Sequence, residues 1–127
     1  MGHVRVQLRI SNPLQPERFV DIQDALVDTG ATWTCIPSRL VASLGLRDEG
    51  PFGVTTAAGS QELRRSFATL QLAGRELTTN VLLSDTLETV LIGVTTLESL
   101  GFAVDPSKGE LVKTEVLLLW IRTSRPD

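Results

Sequence analysis

Apolar residues alternate strictly with polar ones at Val4, Val6, Leu8 and Ile10, the period-two pattern of a strand with one face buried. Ser11-Asn12-Pro13 breaks the alternation with turn formers, and residues 19–27 read as the returning strand, ending in the apolar run Ala25-Leu26-Val27. Pro37-Ser38 opens a short helix whose apolar face is Leu40, Val41 and Leu44, and Gly45 stands where a helix closes on a left-handed residue. Residues 47–51 form a polar connection. From 52 to 83 the pattern is one of strands and tight turns. Hairpin tips fall at Ala57-Ala58-Gly59-Ser60 and Ala73-Gly74, with Ala68, Leu70 and Leu72 on alternate positions. Val90-Leu91-Ile92 predicts a second buried strand that ends in Gly93, and a helix over about 95–100 follows, closed by Gly101. Strands over 102–104 and 110–112 flank a turn at Asp105-Pro106-Ser107-Lys108-Gly109. Residues 115–122 form a last strand-like segment, and 123–127 a polar, disordered tail.

The pattern contains an echo. Val41-Ala42-Ser43-Leu44-Gly45-Leu46 matches Leu97-Glu98-Ser99-Leu100-Gly101-Phe102 in its apolar, Ser, Leu and Gly positions. Each copy follows an apolar strand that ends in a glycine-containing turn, Asp28-Thr29-Gly30 or Ile92-Gly93. The expectation is a domain of two similar halves, each a hairpin, a strand and a short helix.

Composition narrows the chemistry. The 127 residues suffice for one domain with its own core, placed over residues 1–122. A formal charge of −3 argues against a nucleic-acid partner. The single cysteine, Cys35, excludes an internal disulfide, points to a reducing compartment, and reads as a small buried hydrophobe. No basic-then-apolar leader opens the sequence, and Val6 stands where myristoylation of Gly2 wants Ser or Thr. The longest apolar run, residues 116–121, is too short to cross a bilayer. A cytoplasmic protein without a membrane partner is expected. One histidine and one cysteine cannot build the usual zinc site, and His3 sits at a frayed terminus, unsuited to nucleophilic catalysis. No phosphate-binding glycine loop occurs, so neither metal nor cofactor is expected, and carboxylates remain as the catalytic groups.

One carboxylate stands out. The strand ending in Val27 delivers Asp28 into Thr29-Gly30-Ala31. Taken alone, such an Asp is a turn former that caps local N–H groups. Its setting points further: the stretches ALVDTGATWTCIPSRLVASLGL and TVLIGVTTLESLGF, in this order and separated by a hairpin of flap length, resemble the retropepsin-like (clan AA) aspartic proteases, single-domain relatives of pepsin. The resemblance spans roughly residues 4–113. It implies a mostly β, closed-barrel-like retropepsin (acid protease) fold with two short helices, assembled as an obligate symmetric homodimer.

The implied activity is that of an aspartic endopeptidase. Two carboxylates about 3 Å apart share one proton; the ionised one activates a water and the protonated one polarises the peptide carbonyl. The resemblance implies that Asp28, Thr29 and Gly30 form the catalytic loop, Thr29 bonding across the interface and Gly30 aiming an N–H at the carboxylate. Ala31, Thr32 and Trp33 would bind a peptide or protein substrate with the flap tip Ala57, Ala58 and Gly59, while Leu91, Ile92 and Gly93 brace the loop from beneath. No second Asp-Thr-Gly occurs: Asp85-Thr86 continues to Leu87 and Asp105 to Pro106. Only pairing with a second copy about a two-fold axis supplies the other carboxylate.

Two features depart from retroviral relatives. Thr32-Trp33 stands where they carry acids, implying an apolar wall with a donor N–H, and the flap tip has one glycine. Trp33 alone would read as a packing residue, and the run 116–121 fits either a dimer interface or an intramolecular strand. The rival function is a non-catalytic dimerisation or peptide-binding module on the same fold.

Overall fold

The computed structural model of the chain describes residues 4–114, so His3 and the segment 115–127 lie outside the described residues. The alternation at the start becomes β1 (Val4–Asn12), paired antiparallel with β2 (Gln15–Val27). The returning strand begins at Gln15 rather than Phe19, because Asn12 makes the turn by itself. Its Oδ1 accepts the Leu14 N–H at 2.8 Å, while its Nδ2 donates to the carbonyls of Leu44 and Gly45, both at 3.0 Å. Such an Asx turn tightens the loop to two residues.

β3 (Cys35–Pro37) and α1 (Arg39–Leu44) follow. Pro37 therefore ends a strand instead of opening the helix. β4 (Pro51–Thr56), β5 (Gly59–Leu72) and β6 (Arg75–Ser84) form two consecutive hairpins, with tips at the predicted positions. β7 (Leu91–Ile92) leads into α2 (Val94–Leu100), and β8 (Phe102–Asp105) pairs with β9 (Glu110–Lys113) as a separate hairpin. Among the described residues no helix is long and apolar enough to cross a membrane.

The larger sheet runs β1-β2-β7-β3-β6-β5-β4, and β1 also pairs with β5, so every strand of it but β4 closes into a ring. Closure removes open edges from the ring. It encloses Leu8, Ile10, Ile36, Leu70, Val81 and Ile92, all with essentially no exposure. β4 continues outward on the long strand β5 as a projecting hairpin.

The sequence echo is realised as two halves, β1-β2-β3-α1 and β5-β6-β7-α2. Each helix ends on a left-handed glycine, Gly45 (φ 67°) and Gly101 (φ 80°). The repeat extends to a device the periodicity does not carry. Arg18 on β2 donates to the carbonyls of Ala42 and Ser43 at 3.4 and 3.0 Å, and Arg75 on β6 donates to those of Leu100 and Gly101 at 2.8 and 3.3 Å. Neither helix has a basic residue in its own last turn, so each borrows a cation from its hairpin for its negative end. The halves interlock as well: β7 pairs in parallel with β2, and β3 in parallel with β6. Each short strand thus docks on the long strand of the other half.

Candidate active site

The parallel pair β2–β7 brings the two glycine loops together. Val27 aligns with Ile92, and the Asp28 N–H continues the ladder by donating to the Ile92 carbonyl at 3.0 Å. Beyond that bond the chain turns at once. The Ala31 N–H donates to the Asp28 carbonyl at 3.0 Å, and the Gly30 N–H donates to Asp28 Oδ1, also at 3.0 Å. Asp28 is half-buried, whereas Thr29 and Gly30 are exposed. The carboxylate is therefore oriented from its own loop while open to the space in front of it.

Behind the loop, α2 supplies the support. Val94 N–H donates to the Ala31 carbonyl at 2.8 Å, and the carbonyl of Thr32 accepts both the N–H (3.1 Å) and the hydroxyl (2.6 Å) of Thr95. Gly93 packs against this segment: a β-carbon on it would stand 2.7 Å from the Thr32 oxygen. Leu91 and Ile92 lie in the strand beside β2, with Ile92 wholly enclosed.

In front of the loop is a cleft of about 560 Å³. Asp28, Gly30, Ala31, Thr32 and Trp33 form one side, and β4 with Ala57 forms another. Ala58 and Gly59, at the hairpin tip, lie outside its wall. The tip is pinned by Thr56, whose hydroxyl donates to the Gly59 carbonyl at 3.0 Å and accepts the Ala58 N–H at 3.1 Å. Trp33 stacks on Phe52 at the root of β4, ring centroids 4.8 Å apart and planes 20° from parallel. Cys35 also lines the cleft, where burial pushes its thiol up to about 11 and leaves it protonated and unreactive at neutral pH. Among the described residues that line it, Asp28 is the one carboxylate.

A larger hollow of about 760 Å³ lies between β1, the Ala73-Gly74 turn and the β8–β9 hairpin. Its acid, Asp21, is already paired with Arg9 at 2.8 Å, which holds that carboxyl below its ordinary value. Size does not select the site; the oriented carboxylate does.

Sequence reasoning did not single out Phe52, Thr34 or Thr96. Thr34 and Thr96 are buried, their hydroxyl oxygens 2.7 Å apart, and Thr34 Oγ1 accepts the Gly93 N–H at 3.1 Å. Thr96 had a legible signal, since it shares a helix face with Leu100 at a spacing of one turn. Phe52 had none, because its partner is remote in sequence.

The geometry matches known proteins. A family model described as "gag-polyprotein putative aspartyl protease" covers residues 21–99, from within β2 to within α2. No curated protein shows a significant match in sequence. Among solved structures, the EIAV protease complexed with the inhibitor HBY-793 is similar at 18% identity and a TM-score of 0.61, covering 92% of this chain and 94% of that one. A retropepsin-like aspartic protease from Rickettsia conorii is similar at 19% identity and 0.55, covering 83% and 78%. The simian foamy virus (mac) protease is similar at 20% identity and 0.54, covering 74% and 91%. With the Asp28 loop and the Ile92-Gly93 turn brought together by one parallel strand pair, and most of the chain matched, the protein belongs to the gag-polyprotein aspartyl protease family and has the retropepsin-like fold.

Proposed function

We propose that the chain is an aspartic endopeptidase acting as a symmetric homodimer, with a water activated between Asp28 and the partner's Asp28. One observation carries this reading: among the described residues the cleft is lined by a single carboxylate, oriented by the Gly30 N–H and backed by α2, beneath a projecting hairpin. In this reading a single chain supplies half of a carboxylate pair.

In the dimer the two acids share one proton, because like charges at contact distance do not both ionise. The ionised carboxylate takes a proton from the water, whose oxygen attacks the peptide carbonyl. The protonated carboxyl donates to the developing oxyanion. The carboxyl that took the water's proton passes it to the nitrogen, and the C–N bond breaks as a hydroxyl of the diol returns its proton to the other carboxylate. Thr29, exposed in the single chain, hydrogen-bonds across the two-fold axis in this reading. Ala31, Thr32 and Trp33 contact the substrate backbone and side chains, and the hairpin tip Ala57, Ala58 and Gly59 covers the substrate.

The test is cleavage of an unfolded protein mixture at acidic to near-neutral pH, with and without a statine-type inhibitor. Wild-type protein is expected to cut and to be inhibited. Asp28→Asn is expected to keep its fold and dimeric mass while losing activity about a thousandfold or more, as expected for removal of an essential catalytic group. Cleavage by Asp28→Asn would sink the assignment, as would a strictly monomeric mass at high concentration. Wild-type protein that binds peptides without cutting them would establish the binding module instead.

A further inference from the structure

We propose that Thr34 and Thr96 are positioning residues for Asp28, acting through a single peptide unit, the one that joins Ile92 to Gly93. The inference rests on the reading of Asp28 as a catalytic carboxylate. The carbonyl of that unit accepts the Asp28 N–H at 3.0 Å, and its N–H, on Gly93, donates to Thr34 Oγ1 at 3.1 Å. A trans peptide is planar, so its C=O and N–H point opposite ways and turn together. Thr34 therefore sets the angle at which the Ile92 carbonyl meets the backbone of Asp28.

The grip is sheltered and anchored. Thr34 has no exposure and Thr96 has 3%, and the 2.7 Å contact between their hydroxyl oxygens keeps the Thr34 side chain from rotating away. The Thr34 carbonyl accepts the Leu82 N–H at 2.9 Å, which ties the residue to β6 of the barrel. Water cannot replace a lost partner at such a site, so each bond is costly to leave unmade. The path runs from the barrel wall through a buried hydroxyl and one peptide plane to the acid, without touching substrate.

A purely space-filling role predicts that valine serves as well as threonine, since the two are alike in shape. The positioning role predicts otherwise. Thr34→Val is expected to lower kcat about tenfold with KM within about twofold, and to speed amide exchange at Asp28 by about tenfold. Thr34→Ser restores both, and Thr96→Val moves both in the same direction by less. Wild-type kcat and exchange in Thr34→Val, or equal losses in the Val and Ser variants, would overturn the proposal. Should Thr34→Val not fold, Thr96→Val against Thr96→Ser makes the same comparison under the same criteria. Amide exchange needs no substrate: a wild-type chain that cuts nothing while Asp28 exchange still depends on the hydroxyls would refute the protease reading and leave the positioning intact.

Discussion

Gly93 lies so close to Trp33 that a β-carbon on it would stand 2.4 Å from the Trp33 carbonyl carbon. Its backbone is extended, with φ −82° and ψ 163°, a conformation any residue adopts. Glycine is required here for room alone, since the second loop presses on the backbone of the segment that carries Asp28.

Gly93→Ala is therefore expected to destabilise the fold by about 1–3 kcal/mol through overpacking. Urea unfolding measures it. Gly53→Ala, where an added β-carbon meets nothing within 4 Å among the described residues, is the control and should change stability by about 0.5 kcal/mol at most.

The Trp33–Phe52 stack joins the loop after Asp28 to the root of the β4–β5 hairpin. A double-mutant cycle of Trp33→Ala and Phe52→Ala should give a coupling of about 0.5–1.5 kcal/mol, the usual value for a stacked aromatic pair. A coupling near zero would mean that the two rings merely share a wall.

Ala73 occupies the left-handed region at φ 50°, beside Gly74 at φ 82°, in the two-residue turn between β5 and β6. A β-carbon is disfavoured there, and asparagine tolerates the conformation better. Ala73→Asn should stabilise the chain by about 0.5–1 kcal/mol in thermal unfolding, with the register Leu72↔Arg75 unchanged.

At the base of the β4–β5 hairpin, Arg64 beside Asp48 holds that carboxyl below its ordinary value, helped by the Gly50 N–H at 2.9 Å. A carboxylate whose pKa is depressed by folding contributes stability at higher pH, and loses it as pH falls below about 4 toward the folded-state value. An NMR titration should place Asp48 lower than it lies in Arg64→Gln. Asp48→Asn should flatten the acid limb of the stability curve, modestly, because the pair is on the surface. Identical titration of Asp48 in wild type and Arg64→Gln would contradict this.

The sequence by itself determined what depends on neighbours a few residues apart. Alternation placed β1, left-handed glycines ended both helices, and turn chemistry located the tips at Ala57-Ala58 and Ala73-Gly74. The apolar strand and the Gly30 turn exposed Asp28 as an oriented acid, because its carboxylate bond is made two residues away. Tertiary structure alone decided the rest: the closing pair β1–β5, the exchange of short strands between halves, the borrowed cations of Arg18 and Arg75, and the stack of Trp33 on Phe52. It also turned Thr34 from an ordinary polar residue into a sealed support, its hydroxyl meeting a glycine 59 positions away. The physical reason is common to all of these. Periodicity records whether a side chain faces oil or water, whereas the identity of the group it meets is fixed only when the ring closes.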